Sequence, residues 1–466
     1  MACVTAVCLR GEHRLPILTA SARPKSCYLY RRRAALGGNA DRYGRALNIA
    51  AVRKLLLTKN GLRLVLAVRL AELPLRSVVR RGVRRINRDP SLCVFGATVD
   101  RFGDNSAYVY VHLAQQNNLL RCVWITGSTA LRDRLRAAGF EAEKRWSRRG
   151  ILLCVRAGSY VVSSYASDVN RWFAEGATLV NLWHGVPLKK IERDIDSGPL
   201  RLLFLDRQPM KAAFSDQLRP PDLLLAPSAF IAERCFTSAF AIPLERCLPL
   251  GYPRTDHFFS PPLEPPHELL VSDVQRWHDL RKQERVVGYF PTWRDQRREG
   301  LPGGLDLDRL GSALDAIGAH LVYKPHFHVS APAPVPGITI LDAEDDADAY
   351  LPLCDVLVTD YSSLAFDFML LQRPIVYFVP DIDEYASFRG FYFPPEEMMP
   401  GPLVRDPRDL PGAIEAALVS EPDTHLAAVR DLVWGDYAGH ATERLGEILS
   451  RRPAAQAAYG ARSATL

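Results

Sequence analysis

The sequence predicts an α/β protein with two doubly wound parallel-sheet domains, preceded by a basic helical segment. Three observations carry that expectation. From Ser91 onward, short continuous apolar runs alternate with amphipathic stretches, the mark of strands covered on both faces by helices. A polar, proline-rich connection, SPPLEPPHE, divides this pattern near residues 260–275. Charge is also unevenly spread: residues 1–90 hold 20 Lys/Arg against 4 Asp/Glu, and the remainder of the 466-residue chain holds 39 against 48. A basic arm on a mildly acidic body follows from that split.

The arm comes first. Residues 1–45 read as poorly ordered. Residues 46–90 include ALNIAAVRKLLLTKNGLRLVLAVRLAELPLRSVVRRGVRRIN, where Leu and Val recur every three or four residues and arginines fill the gaps. This is a pair of basic amphipathic helices, broken near Asn60-Gly61 and at Pro74. Such a segment suits an anionic membrane surface, with arginines drawn to headgroups and the apolar face sunk beneath them. A solvated hairpin packed on the body is the plainer alternative. Nucleic acid is disfavoured, because no aromatic lies within the helices and no RNA-binding motif is present.

No run of 18 apolar residues occurs, so no transmembrane helix is expected, and the first residues make a poor signal peptide. The nine cysteines form no CxxC pair, which points to a reducing compartment rather than to a disulfide framework or a zinc site.

The first domain is expected over residues 91–262. SLCVFGAT, RCVWITG, ILLCV, YVVSSY, ATLVNLWHG, PDLLLAPS and RCLPLGYPR read as strands, with SAYVYVHLAQQNN and DVNRWFAEG as intervening helices. The second is expected over residues 275–435, with RVVGYFPTWR, HLVYKPHFH, ITILDA, DVLVTDYSS and PIVYFVP as strands. A helix and tail, 436–466, close the chain.

Ligands of open parallel sheets bind beyond the carboxyl ends of the strands, and five such ends carry unusual residues. WHG brings His184, followed by a lysine pair. GYPRTD brings Arg254 and Asp256. FPTWRD brings Thr292, Arg294 and Asp295. YKPHFH brings Lys324, His326 and His328. TDYSSLAFDFM brings Asp360, Ser362, Ser363 and Asp367. Each alone is weak; together, cations, hydroxyls and imidazoles gather where an anionic ligand would lie. In the last motif a serine can cap the helix that follows, and the free N–H groups of that helix start suit phosphate. Ser363 and Asp367 are one residue too far apart for a capping box. Neither a P-loop nor a GxGxxG fingerprint is present.

In this order, WHG with its trailing lysine, GYPR, PTWR, KPH and TDYSS…D…RP resemble the CDP-glycerol glycerophosphotransferase family of teichoic acid and capsule polyol-phosphate transferases, over about residues 91–435. The resemblance implies a GT-B fold, two Rossmann-like domains facing a cleft, the first taking the acceptor and the second the CDP-linked donor. It implies a CDP-polyol donor, a lipid-linked polymer or glycan acceptor, and peripheral attachment to the cytoplasmic face of the membrane. By resemblance His184 is the catalytic base, His326 lies at the donor phosphates, and Ser362, Ser363 and Asp367 form the donor turn. Arg254, Thr292, Arg294, Lys324 and Asp360 are further substrate-binding candidates. The long arginine-rich amino-terminal segment is not a fixed feature of the family. No obligatory metal is expected, since no carboxylate–x–carboxylate pair is read at a strand end; Mg²⁺ is possible but not predicted. A GT-B glycosyltransferase using a nucleotide-diphosphate sugar, and a non-catalytic membrane-bound relative, are the rival readings. Glycerol against ribitol, primase against polymerase, and oligomeric state are left open.

Overall fold

The computed structural model describes residues 59–116, 120–197, 201, 210–215, 217–260, 267–292, 301–325, 335–420 and 423–451. The arm expected over residues 1–45 lies outside them, as do Arg294, Asp295, His326 and His328. The chain divides into two compact units, residues 1–72 and 73–466.

The described part of the first unit is the helix Lys59–Ala71. Asn60 and Gly61 lie in its first turn, and the residues before Lys59, where the other helix of the expected pair would lie, are outside the described ones. Glycine costs a helix only about 1 kcal/mol relative to alanine. The second unit opens with the helix Leu73–Arg84, and Pro74 does stand at a helix start, where its missing N–H is harmless.

Two parallel sheets form the body. The first joins β1 (Asp89–Gly96), β2 (Arg121–Thr126), β3 (Ala142–Lys144), β4 (Ala157–Val162), β5 (Thr178–Asn181), β6 (Leu223–Ala226) and β7 (Cys247–Pro249) in the order β3-β2-β1-β4-β5-β6-β7. The second joins β8 (Val286–Tyr289), β9 (His320–Tyr323), β10 (Ile338–Ile340), β11 (Val356–Thr359), β12 (Ile375–Phe378) and β13 (Leu403–Val404) in the order β10-β9-β8-β11-β12-β13. Both are doubly wound. Strand order reverses between β1 and β4 in one sheet and between β8 and β11 in the other. Those are the two places where an open α/β sheet leaves a crevice for ligand.

One apolar cluster runs from the first sheet through to the second and into the C-terminal helices, from Cys93 and Trp183 to Leu357 and Trp434. The chain then returns to the first domain. Asp256 accepts from the N–H groups of Ala441 and Thr442 (both 2.8 Å) at the start of the helix 441–451. A carboxylate there answers both the open donors and the positive helix end. Asp256 thus fixes the last helix.

Two assignments differ from expectation. ILLCV belongs to the helix Arg148–Arg156, capped by Ser147, whose Oγ accepts from Gly150 N (2.9 Å). Five apolar residues fit either structure, and the cap decides. DVNRWFAEG is turn rather than helix. Asp168 folds back to accept from the N–H groups of Ser164 and Tyr165 (2.8 and 3.3 Å), which ties the segment to the end of β4. β3 and β13 are too short to show a pattern. Among the described residues six cysteines are buried free thiols, and no helix is long and apolar enough to cross a membrane.

Candidate active site

The site is built where the two sheet reversals face each other. In the first domain, Asn181 ends β5 and ties the segment after β4 to the segment after β5. Its Nδ2 donates to Ser164 O (2.8 Å), and its Oδ1 accepts from Trp183 N (2.8 Å). Trp183 then adopts φ +50, a conformation that is strained for a bulky residue and concentrates at functional sites. Its indole is buried edge-on against Phe240, with centroids 4.8 Å apart.

This bend presents His184. The imidazole Nδ1 lies 3.3 Å from Ser163 O and 3.2 Å from Ser164 Oγ, beyond the end of β4. A carbonyl only accepts, so the proton belongs on Nδ1 and the basic lone pair on Nε2. The residue is exposed, yet protein atoms around the ring desolvate it, which lowers its pKa from 6.5, while Asp104 opposes the shift.

Gly185, φ +149, follows and meets the second domain. A Cβ there would lie 2.4 Å from Ser363 Oγ. Ser363 belongs to the turn after β11 and precedes the six-residue helix Leu364–Met369. Its side chain does not cap that helix; instead Ser362 Oγ accepts from Leu364 N (3.3 Å). Asp360 is buried and accepts from Thr292 N (3.0 and 3.1 Å), joining the ends of β8 and β11 at the second reversal.

Arg254 occupies the seam. Its guanidinium reaches Asp104 and Asp367 (both 2.7 Å) and lies 3.4 Å from Asp348. Burial works against its charge, but Asp367, Asp348 and Asp104 outweigh it and raise the pKa further. The carboxyls outnumber the cation. Desolvation therefore prevails at Asp367, whose pKa rises to about 6, and also raises that of Asp348 well above the usual carboxylate range. The guanidinium is thus committed to protein carboxylates. Lys324 is likewise turned inward. Its Nζ donates to Asp342 O (3.2 Å) and Ala343 O (3.3 Å), and burial lowers its pKa to about 8.

The lysines after WHG separate. Lys189 Nζ donates across the seam to Tyr385 Oη (3.1 Å), while Lys190 pairs with Asp196. Between them the backbone joins the domains, Lys190 N donating to Gly390 O (3.2 Å) and Tyr392 N to Leu188 O (3.0 Å).

Two parallel-sheet domains meeting at their reversal points narrow the choice of family, and comparison decides it. Residues 79–450 match the family described as CDP-glycerol:poly(glycerophosphate) glycerophosphotransferase. The chain belongs to this family. It is 29% identical over 281 residues to the teichoic acid glycerol-phosphate transferase of Staphylococcus aureus, covering 58% of this chain and 70% of the relative. It is 30% identical over 296 residues to the teichoic acid poly(glycerol phosphate) polymerase of Bacillus subtilis, covering 60% of this chain but 38% of that protein. Its fold is that of the wall teichoic acid polymerase TagF (TM-score 0.66, 24% identity, 86% of this chain and 99% of the other), so the expected GT-B architecture holds.

Membership of the glycerophosphotransferase family makes the chain a transferase and focuses attention on residues that motif reading passed over. Asp104, Asn105, Ser163, Ser164, Asp346 and Asp348 all hold the site together. Gly103-Asp104-Asn105, at the start of the helix after β1, was a legible signal. So was Asp346-Ala347-Asp348, a carboxylate–x–carboxylate pair beyond β10. There Asp346 accepts from Asp104 N (2.6 Å), while Asp348 faces Arg254. Among the described residues no group of three or more His, Cys, Asp or Glu is placed to hold a metal ion.

Proposed function

We propose that this glycerophosphotransferase moves a polyol phosphate, sn-glycerol 3-phosphate first of all, from CDP-glycerol to a hydroxyl of a membrane-linked or growing polymer. The product would be a teichoic-acid-like or capsular surface polymer. The observation that carries the reading is the contact of Gly185, just after β5, with Ser363, at the β8/β11 reversal, beside the exposed His184.

In the proposed reaction the acceptor hydroxyl oxygen attacks the β-phosphorus of the donor. The bond from that phosphorus to the bridging oxygen breaks, and CMP leaves with the electron pair. His184 Nε2 takes the hydroxyl proton. An imidazole held neutral near pH 7 suits this work, which contributes about 10²–10⁴-fold. The turn bearing Ser362 and Ser363 would receive the diphosphate, with Thr292 and Asp360 shaping its floor and Arg294 and His326 supplying charge. Lys324 adds positive potential from behind. Preorganised donors of this kind usually outweigh the base. Arg254 and Asp367 act by fixing the turn. No metal is assigned an obligatory role.

Attachment to the cytoplasmic face of the membrane is part of the proposal. On the helix Leu73–Arg84, Leu75 and Val78 face solvent beside Arg81. Not every arginine is available. Arg80 and Arg84 pair with Glu175, and Arg88 donates to the carbonyls of Cys154, Ala157, Phe173 and Glu175. The helix is therefore docked on the body by Arg80 and Arg84, Arg76 is buried, and Arg81 is exposed to meet lipid.

The test is nucleotide release from CDP-glycerol, CDP-ribitol and UDP-sugars with a lipid-linked acceptor, with products weighed by mass spectrometry. CMP release with acceptor extended by glycerol phosphate is expected. UDP release alone would establish a sugar transferase, and restoration of chelated enzyme by Mg²⁺ would overturn the metal-free assignment.

A further inference from the structure

We propose that Asn105 is a positioning residue for His184, locking the base-bearing bend to the seam between the domains. The proposal rests on His184 being the base.

Asn105 is fully buried at the start of the helix Asp104–Gln115. Its Nδ2 donates to Leu182 O (3.3 Å) and Trp183 O (3.1 Å), the two carbonyls immediately before His184. Its Oδ1 accepts from Arg254 N (3.2 Å). One amide thus spends both donors on the bend and its acceptor on the residue whose guanidinium grips Asp367, the fourth residue of the helix after Ser363. The path from His184 to the donor turn is Trp183, Asn105, Arg254, Asp367.

Two features show why a lock is needed here. Trp183 holds a left-handed backbone, at a cost of order 1–3 kcal/mol, which persists only where surroundings over-determine it. Without Asn105 the carbonyls of residues 182 and 183 would lose these buried donors and the bend would relax. Asp104, beside it, contributes a separate anchor by bonding Arg254 and Asp346, so the seam itself does not depend on Asn105 alone.

The experiment uses full-length Asn105→Ala and Asn105→Asp. The aspartate is isosteric and keeps the acceptor for Arg254 N–H while removing the amide donors. Steady-state kcat and KM are measured with CDP-glycerol and a lipid-linked acceptor. Separately, carbethoxylation of His184 by diethyl pyrocarbonate is followed by peptide mass spectrometry across pH. A fall in kcat of about 10–100-fold is expected in both variants, as for a displaced catalytic group, with KM for CDP-glycerol within about threefold. The modification profile of His184 should shift while that of His425, exposed on the helix Thr424–Trp434, stays put. Wild-type kcat and an unmoved His184 profile in Asn105→Asp would overturn the proposal, and that variant decides alone if Asn105→Ala does not fold. If His184→Ala keeps its turnover, the base reading falls instead, and the modification profile still decides whether Asn105 holds the bend.

Discussion

Gly185 packs against Ser363 with no room for a methyl group between them: a Cβ on the glycine would stand 2.4 Å from the serine Oγ and 2.6 Å from its Cβ. The residue after the proposed base therefore touches the proposed donor turn. Gly185→Ala must push these apart, and its φ of +149 adds backbone strain. A drop in kcat of at least about tenfold is expected, consistent with the sensitivity of reacting groups to small displacements. Adding Ser363→Gly should recover part of the loss by freeing space. A Gly185→Ala enzyme with unchanged kinetics would separate the two motifs functionally.

His184 gives a second expectation, in pH. Its folded-state pKa lies below 6.5 because the enclosure disfavours the imidazolium. A base must be neutral to act, so kcat should hold through neutral pH and fall on acidification through a pKa below 6.5. Asp104 stabilises the protonated ring, and Asp104→Asn should move that acidic limb lower still. A limb above pH 7, or one unmoved by Asp104→Asn, would assign the titration elsewhere. His184→Ala itself should lose about 10²–10⁴-fold in kcat, with donor affinity measured by calorimetry little changed.

Much of this was legible before any coordinates. Continuous apolar strands such as YVVSSY and DVLVTDYSS announce a parallel sheet because both faces are buried, and their polar ends then have only one place to be. What sequence could not show is which polar groups are spent internally. Arg254 and Asp367 look like ligand-binding residues in a motif, but they are partners of each other across 113 positions. Asn105 and Asp348 stand in short polar runs that could be read, but their importance comes from where the fold brings Trp183 and Arg254. Periodicity also failed where a five-residue apolar run could be helix or strand, as in ILLCV. There the decision lay with a single serine cap.

The seam around Arg254 should be a point of fragility. Arg254→Met would leave Asp348 and Asp367 buried with no cation, and removing one partner of a buried ion pair typically costs about 3–5 kcal/mol. Arg254→Lys should rescue poorly, because an ammonium cannot fork between Asp104 and Asp367 as a guanidinium does. Urea denaturation of the three proteins checks this, with Arg254→Met/Asp367→Asn expected to regain part of the loss. A fully stable Arg254→Met protein would mean that the carboxyls are neutral and need no cation.

Glu192 offers a test of stability rather than turnover. It follows the WHG motif, holds φ +49, is buried, and accepts from Tyr165 Oη (2.5 Å). Burial raises its pKa from 4.5 to about 7, against the hydrogen bond from Tyr165, which favours the ionised form. The folded protein thus binds this proton more tightly than the unfolded chain. Stability from the group is fully present below pH 4.5 and is lost as pH rises through about 7. Glu192→Gln keeps an oxygen for Tyr165 and has no charge to bury. Relative to the wild type it should gain stability between pH 4.5 and 8, by an amount approaching about 3 kcal/mol at 1.36 kcal/mol per pKa unit. Denaturant midpoints of both proteins at the two pH values measure that difference directly. A constant offset between them would show that Glu192 ionises as readily in the folded protein as in the unfolded chain, and that its place beside Tyr165 costs the fold nothing.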